Sequence, residues 1–261
     1  HDHRELLEDL VAPDMIAVVM GVQEELDRLV GDLLDLLDDP RRDVLELRVD
    51  DEDGVRTDDV APPVTVLDLS VSAGSDDAEE GPTGGVTLNS SDLELVTDGT
   101  KLQQVGVRFA ALAVPRGATI TEAWVQFQVD EVSTAAASLT IRGVAQDNTP
   151  TFVRSSRNIS SRPLTSATLG WTPAPWPTVG ARGPDQRTPD LAALVKEIID
   201  RPGWTSGNAL ALVITGTGRR TAEAYESRPA PVLHVEYVTG PRPNRAPVVN
   251  AGADQEVILP A

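Results

Sequence analysis

The hexapeptide SDDAEE, Ser75 to Glu80, places four carboxylates in six residues. A dozen residues on, SDLEL (Ser91 to Leu95) adds Asp92 and Glu94. Calcium takes roughly six to eight oxygen ligands, and clustered carboxylates with loop carbonyls can supply them. Asp76, Asp77, Glu79, Glu80, Asp92 and Glu94 are therefore the candidate ligands of a structural calcium site. No lysine or arginine lies between Ala61 and Thr100 to neutralise them. The same residues also suit a solvated acidic edge, which discourages a sheet from pairing with another chain. In an extended strand Asp76, Ala78 and Glu80 face one way, and Asp77 and Glu79 the other. Both readings stay open at this point.

The tryptophans offer a second chemistry. Trp171 and Trp176 stand in GWTPAPWPTVG, a loop stiffened by proline. Held rigid and exposed, they could stack on sugar rings. Packed against their own prolines, they would form a small apolar core. Trp124 falls out of phase with Phe127 and is expected to face outward or toward a second layer. Enzyme signatures are weaker. TGTGRR (Thr215 to Arg220) lacks the third glycine of a dinucleotide fingerprint, and no GxSxG occurs. DDEDG (Asp50 to Gly54) tempts an EF-hand reading, but Val49 and Val60 would occupy the first and twelfth ligand positions. His234 alternates out of the core face and has no partner in sequence. No nucleophile and base pair up, so the chain reads as non-catalytic.

These side chains must be positioned by strands. QQVGVRF (103–109), TEAWVQFQV (121–129), ASLTIRGV (137–144), ALALVIT (209–215) and PVLHVEYV (231–238) alternate or run apolar, and VTLNSSDLELV (86–96) reads as another. Taking every second residue gives core faces: Val105, Val107 and Phe109; Ala123, Val125, Phe127 and Val129; Leu210, Leu212 and Ile214; Leu233, Val235 and Tyr237. Many strands with few helices predict a mainly β fold, an antiparallel jelly-roll-like sandwich. One helix interrupts, at about residues 188–201. Thr188 is its expected N-cap, and Leu191, Leu194, Val195, Ile198 and Ile199 form an apolar stripe. It is expected to cover one face or end of the sandwich. A further helix is read over about residues 14–39. Its apolar residues Met15, Val19, Val22, Leu26, Leu29, Leu33 and Leu36 follow coiled-coil spacing. It suits either docking on its own domain or self-association.

Composition sets the boundaries. Of the 261 residues, 40% are hydrophobic but only 3% aromatic, so the core is mostly aliphatic. Cysteine is absent, which excludes disulfides and thiolate metal sites. Net charge is −19. Residues 1–60 hold 20 acids and 6 bases, and residues 61–100 hold 8 acids and no base. Such a surface repels phosphate, so nucleic acid is not an expected partner. No apolar run reaches the length of a membrane span. The organisation reads as an acidic helical region (1–60), a sandwich (61–239), a proline-rich linker (240–247) and a terminal strand (248–261).

Several runs resemble one family. SDDAEE with GVTLNSSDLELV, QQVGVRFAALAVPRGATITEAWVQFQVDE, LTIRGVAQDN, GPDQRTPDLAALVKEIIDRPGW and APVLHVEY resemble the DNRLRE-type jelly-roll domains of secreted bacterial proteins. The resemblance covers about residues 70–238. NRAPVVNAGADQEVILPA is similar to the opening strand of a PKD-type repeat, an extracellular spacer module. The resemblance implies a non-catalytic, extracellular or cell-surface bacterial module for adhesion or for binding a glycan or other cell-surface polymer. The alternative is a structural subunit of an extracellular filament, joined by the N-terminal helix or by donation of the terminal strand.

Overall fold

Strands with one apolar face need a second layer to bury it, and the core faces named above all find one. The chain divides into two units, His1–Val60 and Ala61–Ala261. The computed structural model describes residues 62–240, within the second unit. The helix read over 14–39, the linker after Gly240 and the strand over 248–261 lie outside the described residues.

The described residues form an antiparallel β-sandwich. Six strands make the largest sheet, in the order β11 (Leu169–Trp171), β10 (Ser138–Gly143), β12 (Leu210–Thr217), β7 (Gln104–Phe109), β2 (Asp77–Glu80) and β3 (Val86–Thr87). A three-stranded sheet runs β1 (Thr65–Ser70), β14 (Val232–Val238), β8 (Thr119–Gln126). Another runs β4 (Asp92–Glu94), β13 (Thr221–Glu223), β9 (Val129–Glu131). A short ribbon pairs β5 (Thr97–Asp98) with β6 (Lys101–Leu102). The main core lies between the sheets. Val105, Val107, Phe109, Ala123, Val125, Phe127, Val129, Leu210, Leu212, Ile214, Leu233, Val235 and Tyr237 are all buried there.

The six-stranded sheet is covered on part of its other face as well. Ala78, Ala211 and Val213 meet Val144, Phe152 and Ile159 of the segment that follows β10. This explains the unbroken apolar run of β12, which is buried on both sides. Phe152 lies directly over Gly106 of β7. A Cβ at Gly106 would stand 2.5 Å from the ring, so only glycine lets this segment close on the sheet.

Two expectations need correction. The run 86–96 is not one strand. Asn89 adopts a left-handed φ of 67°, and the chain leaves β2 and β3 to pair β4 with β13 instead. The turn formers Asn89, Ser90 and Ser91 allow that crossing. The helix α1 spans Ala192–Ile199, starting later than Thr188. Thr188 does not cap it: its Oγ1 accepts the Val125 amide at 3.0 Å, and Asp190 Oδ1 accepts the amides of Ala123 and Ala192. The exposed edge of β8 has amides that need partners, and these two side chains satisfy them. The predicted stripe Leu191, Leu194, Val195, Ile198 and Ile199 is buried, and α1 packs on β8 and β10.

Candidate functional site

The acids of β2 are buried, which removes the solvated-edge reading. Asp76, Asp77, Glu79 and Glu80 are each at most 6% exposed. Strand alternation splits them between the two faces, as periodicity predicted. Asp76 and Glu80 face the covering segment. Asp76 accepts from Arg108 at 2.5 Å, and Arg108 also donates to the Thr149 carbonyl at 2.7 Å. Glu80 Oε2 accepts the amides of Ile159 and Ser160 at 2.7 and 2.9 Å. Asp77 and Glu79 face the main core. Asp77 accepts the Tyr225 amide at 2.8 Å. Glu79 Oε1 accepts the Glu94 amide at 2.8 Å and Gln103 Nε2 at 2.7 Å. Each carboxyl thus fastens a different segment to one short strand.

Such burial costs the charged form solvation. Burial, reinforced by Glu226 and Asp76, pushes the Asp77 carboxyl up to about 7 against the opposing Tyr225 amide. Burial and then the neighbouring Glu94 carboxyl push Glu79 up to about 9.

The six candidate calcium ligands therefore do not form one cluster. Asp92 instead joins two residues absent from the sequence reading. Oxygens of Asp92, Asp130 and Glu131 lie within 4.8 Å of one another on the small sheet β4-β13-β9. Burial, and then the charges of Glu223, Asp92, Glu131 and Glu94, raise the Asp130 carboxyl above its ordinary value. Asp130 and Glu131 follow directly on a predicted strand, but nothing local tells that a partner some forty residues earlier lies beside them.

Trp171 and Trp176 are part of the main core rather than a sugar platform. They are 4% and 0% exposed, and Trp171 also stacks on Phe127 at 5.8 Å. Trp176 donates its indole N–H to the Asp185 carbonyl at 3.0 Å. Neither ring offers a face to a ligand. Trp124 does lie on the outer face of its sheet, but both its faces are taken: His234 stacks on it at 4.4 Å, and the Arg187 guanidinium lies 4.0 Å from its ring centre. His234 is not simply solvated, since Asp68 sits 2.8 Å from its Nδ1.

A ligand-sized opening occurs elsewhere. Where the covering segment ends, the outer face of the six-stranded sheet forms a half-open trough of about 280 Å³. Glu80, Gln104, Arg157, Ser160 and Thr215 line it. Gln104 and Thr215 come from neighbouring strands, and Arg157 and Ser160 from the rim of the covering segment. The side chains of Gln104 and Arg157 make no hydrogen bond among the described residues.

No protein-family model matches the chain, and no curated protein matches it. No helix among the described residues is long and apolar enough to cross a membrane.

Proposed function

We propose that the sandwich is a non-catalytic accessory module of an extracellular or cell-surface bacterial protein, and that it binds a glycan through the trough beside β7 and β12. The trough is the observation that carries this reading. Its lining combines amide, hydroxyl, guanidinium and carboxylate groups, which suits a ligand rich in hydroxyls. Its volume of about 280 Å³ falls just below the range of ordinary small-molecule sites, roughly 300–1,000 Å³. One sugar ring of a longer polymer fits that size better than a large free ligand. The resemblance to secreted jelly-roll domains supports the location and the class.

A glycan array with the full chain tests the reading, repeated with Gln104→Ala and Arg157→Ala. The expected result is a bound glycan that each variant holds at least tenfold more weakly, with an unchanged melting midpoint. A blank array, or a glycan that both variants hold as tightly as the unaltered chain does, overturns it.

One observation favours the alternative, a structural subunit. Strand β1 is an edge of its sheet, and Val64 and Val66 are 53% and 51% exposed there. An edge with exposed apolar residues is a template for another strand. Light scattering of the full chain before and after Val66→Lys tests it: an assembly that Val66→Lys dissolves supports this reading, and a monomer rejects it.

A further inference from the structure

The small sheet β4-β13-β9 gathers acids on one face around a buried hydroxyl. Leu93, Ala222 and Val129 occupy its core side. Asp92 and Glu94 of β4 and Glu223 of β13 point the other way by strand alternation. On β9 the register shifts, so that Thr221 pairs with Glu131 and Ala222 with Val129. Asp130 is the extra residue of that bulge. Bulges re-aim side chains, and this one adds a carboxylate to the acidic face.

Thr221, next to Ala222 on β13, lies on that same acidic face by strand alternation. It stands opposite Glu94 on one side and Glu131 on the other. Leu95 and Arg220 exchange backbone hydrogen bonds, so Glu94 and Thr221 form the closer, non-hydrogen-bonded type of pair. Thr221 is 0% exposed, and its Oγ1 has no hydrogen-bond partner among the described residues. A buried hydroxyl has two lone pairs that need a donor or a cation. Carboxylates cannot donate when ionised, so its acidic neighbours leave those lone pairs unmet.

We propose that Asp92, Asp130 and Glu131, with the hydroxyl of Thr221, bind a hard divalent cation of the calcium class. Ligand type excludes softer metals, since every donor is an oxygen. Oxygens of the three carboxylates lie within 4.8 Å of one another, so one ion can reach all three. Calcium also tolerates irregular ligands from several strands, whereas magnesium demands a near-octahedral set. The cation would join β4, β13 and β9 and relieve the repulsion among their acids. The nearest base, Arg219, reaches only Glu131, at 3.2 Å.

The test is calorimetric titration of the chelator-stripped full chain with calcium chloride, with melting curves in calcium and in chelator. One site per chain and a melting midpoint raised by calcium are expected. Asp92→Asn and Asp130→Asn should each weaken calcium at least tenfold, and Thr221→Val severalfold. Asp130→Asn should also raise the midpoint in chelator, because it removes a repelled charge. That rise separates a lost ligand from a damaged fold. Glu236→Gln, an acid on another sheet, should leave the calcium response intact. Absence of binding heat and midpoint shift overturns the proposal. So does a response that survives Asp92→Asn and Asp130→Asn, or one matched by sodium chloride at equal ionic strength.

Discussion

Glu79 carries its carboxyl into the space between two sheets, where the partners that reach it are amides rather than a base. Its raised value makes the folded chain hold a proton that the unfolded chain releases near 4.5. Asp77 does the same between 3.8 and about 7. Stability from these groups is therefore full at acidic pH and falls as pH rises, for Asp77 up to about 7 and for Glu79 up to about 9. The expected loss between pH 5 and 9 is of order a few kcal/mol. Glu79→Gln keeps a neutral, hydrogen-bonding side chain and should flatten that loss. Melting curves across pH check this, with Glu122→Gln, at an exposed position, as the control. A second residue makes the complementary point. Arg220 is 1% exposed and donates to the carbonyls of Ala135, Pro173, Ala174 and Arg219, with no carboxylate among these partners. Arg220→Met should cost about 3 kcal/mol in urea unfolding, because it leaves several buried carbonyls unpaired. Neither role is legible in the sequence. SDDAEE reads as a cation site or a solvated edge, and nothing in TGTGRR says that its second arginine is buried. Burial is decided by the strands laid beside them.

At the scale of elements, alternation was a reliable guide and local capping was not. The inward residues of β7, β8, β12 and β14 could be read in advance because a one-residue slip would expose every one of them. Thr188 misled because an N-cap and an edge-satisfying side chain look the same in sequence. Each is a small hydroxyl before a proline and an apolar stripe. The break between β3 and β4 was present in Asn89-Ser90-Ser91 but outweighed by the apolar residues on either side. Gly106 offers the sharpest test of element packing. Gly106→Ala places a methyl group against Phe152 and should cost about 1–3 kcal/mol by overpacking. Phe152→Ala alone should cost about 3–5 kcal/mol, since the ring is 1% exposed. In the double variant the alanine at 106 has room, so the two costs should fall well short of additive. Urea unfolding of the four chains measures that coupling. Additive costs would show that the covering segment does not rest on β7 through this ring.

At the scale of the molecule, the sandwich carries the smaller share of the net charge. Residues 61–240 carry 19 acids and 14 bases, whereas residues 1–60 carry 20 acids and 6 bases. Four of the nineteen acids are buried in β2 and its approach, so the sandwich presents less acidity than its count suggests. The order of strands could not be read from sequence. The small sheet pairs β13 with β4 and β9, which lie roughly ninety or more residues earlier in the chain, and no local pattern encodes such a pairing. That pairing creates the acidic face around Thr221, and the path of the covering segment creates the trough. Both candidate sites are thus products of topology. Among the described residues, buried apolar side chains run from Val71 to Val238 and fill the inward faces of β7, β8, β12 and β14. A fragment of residues 62–240 should accordingly fold by itself. Its melting midpoint should lie within a few degrees of the full chain, and it should lose stability with rising pH in the same way, because Asp77 and Glu79 meet their partners inside it. Calorimetry of the fragment and the full chain at pH 5 and pH 9 makes the comparison. A fragment that aggregates, or melts far below the full chain, would place part of the stabilising surface in residues 1–61 or 241–261.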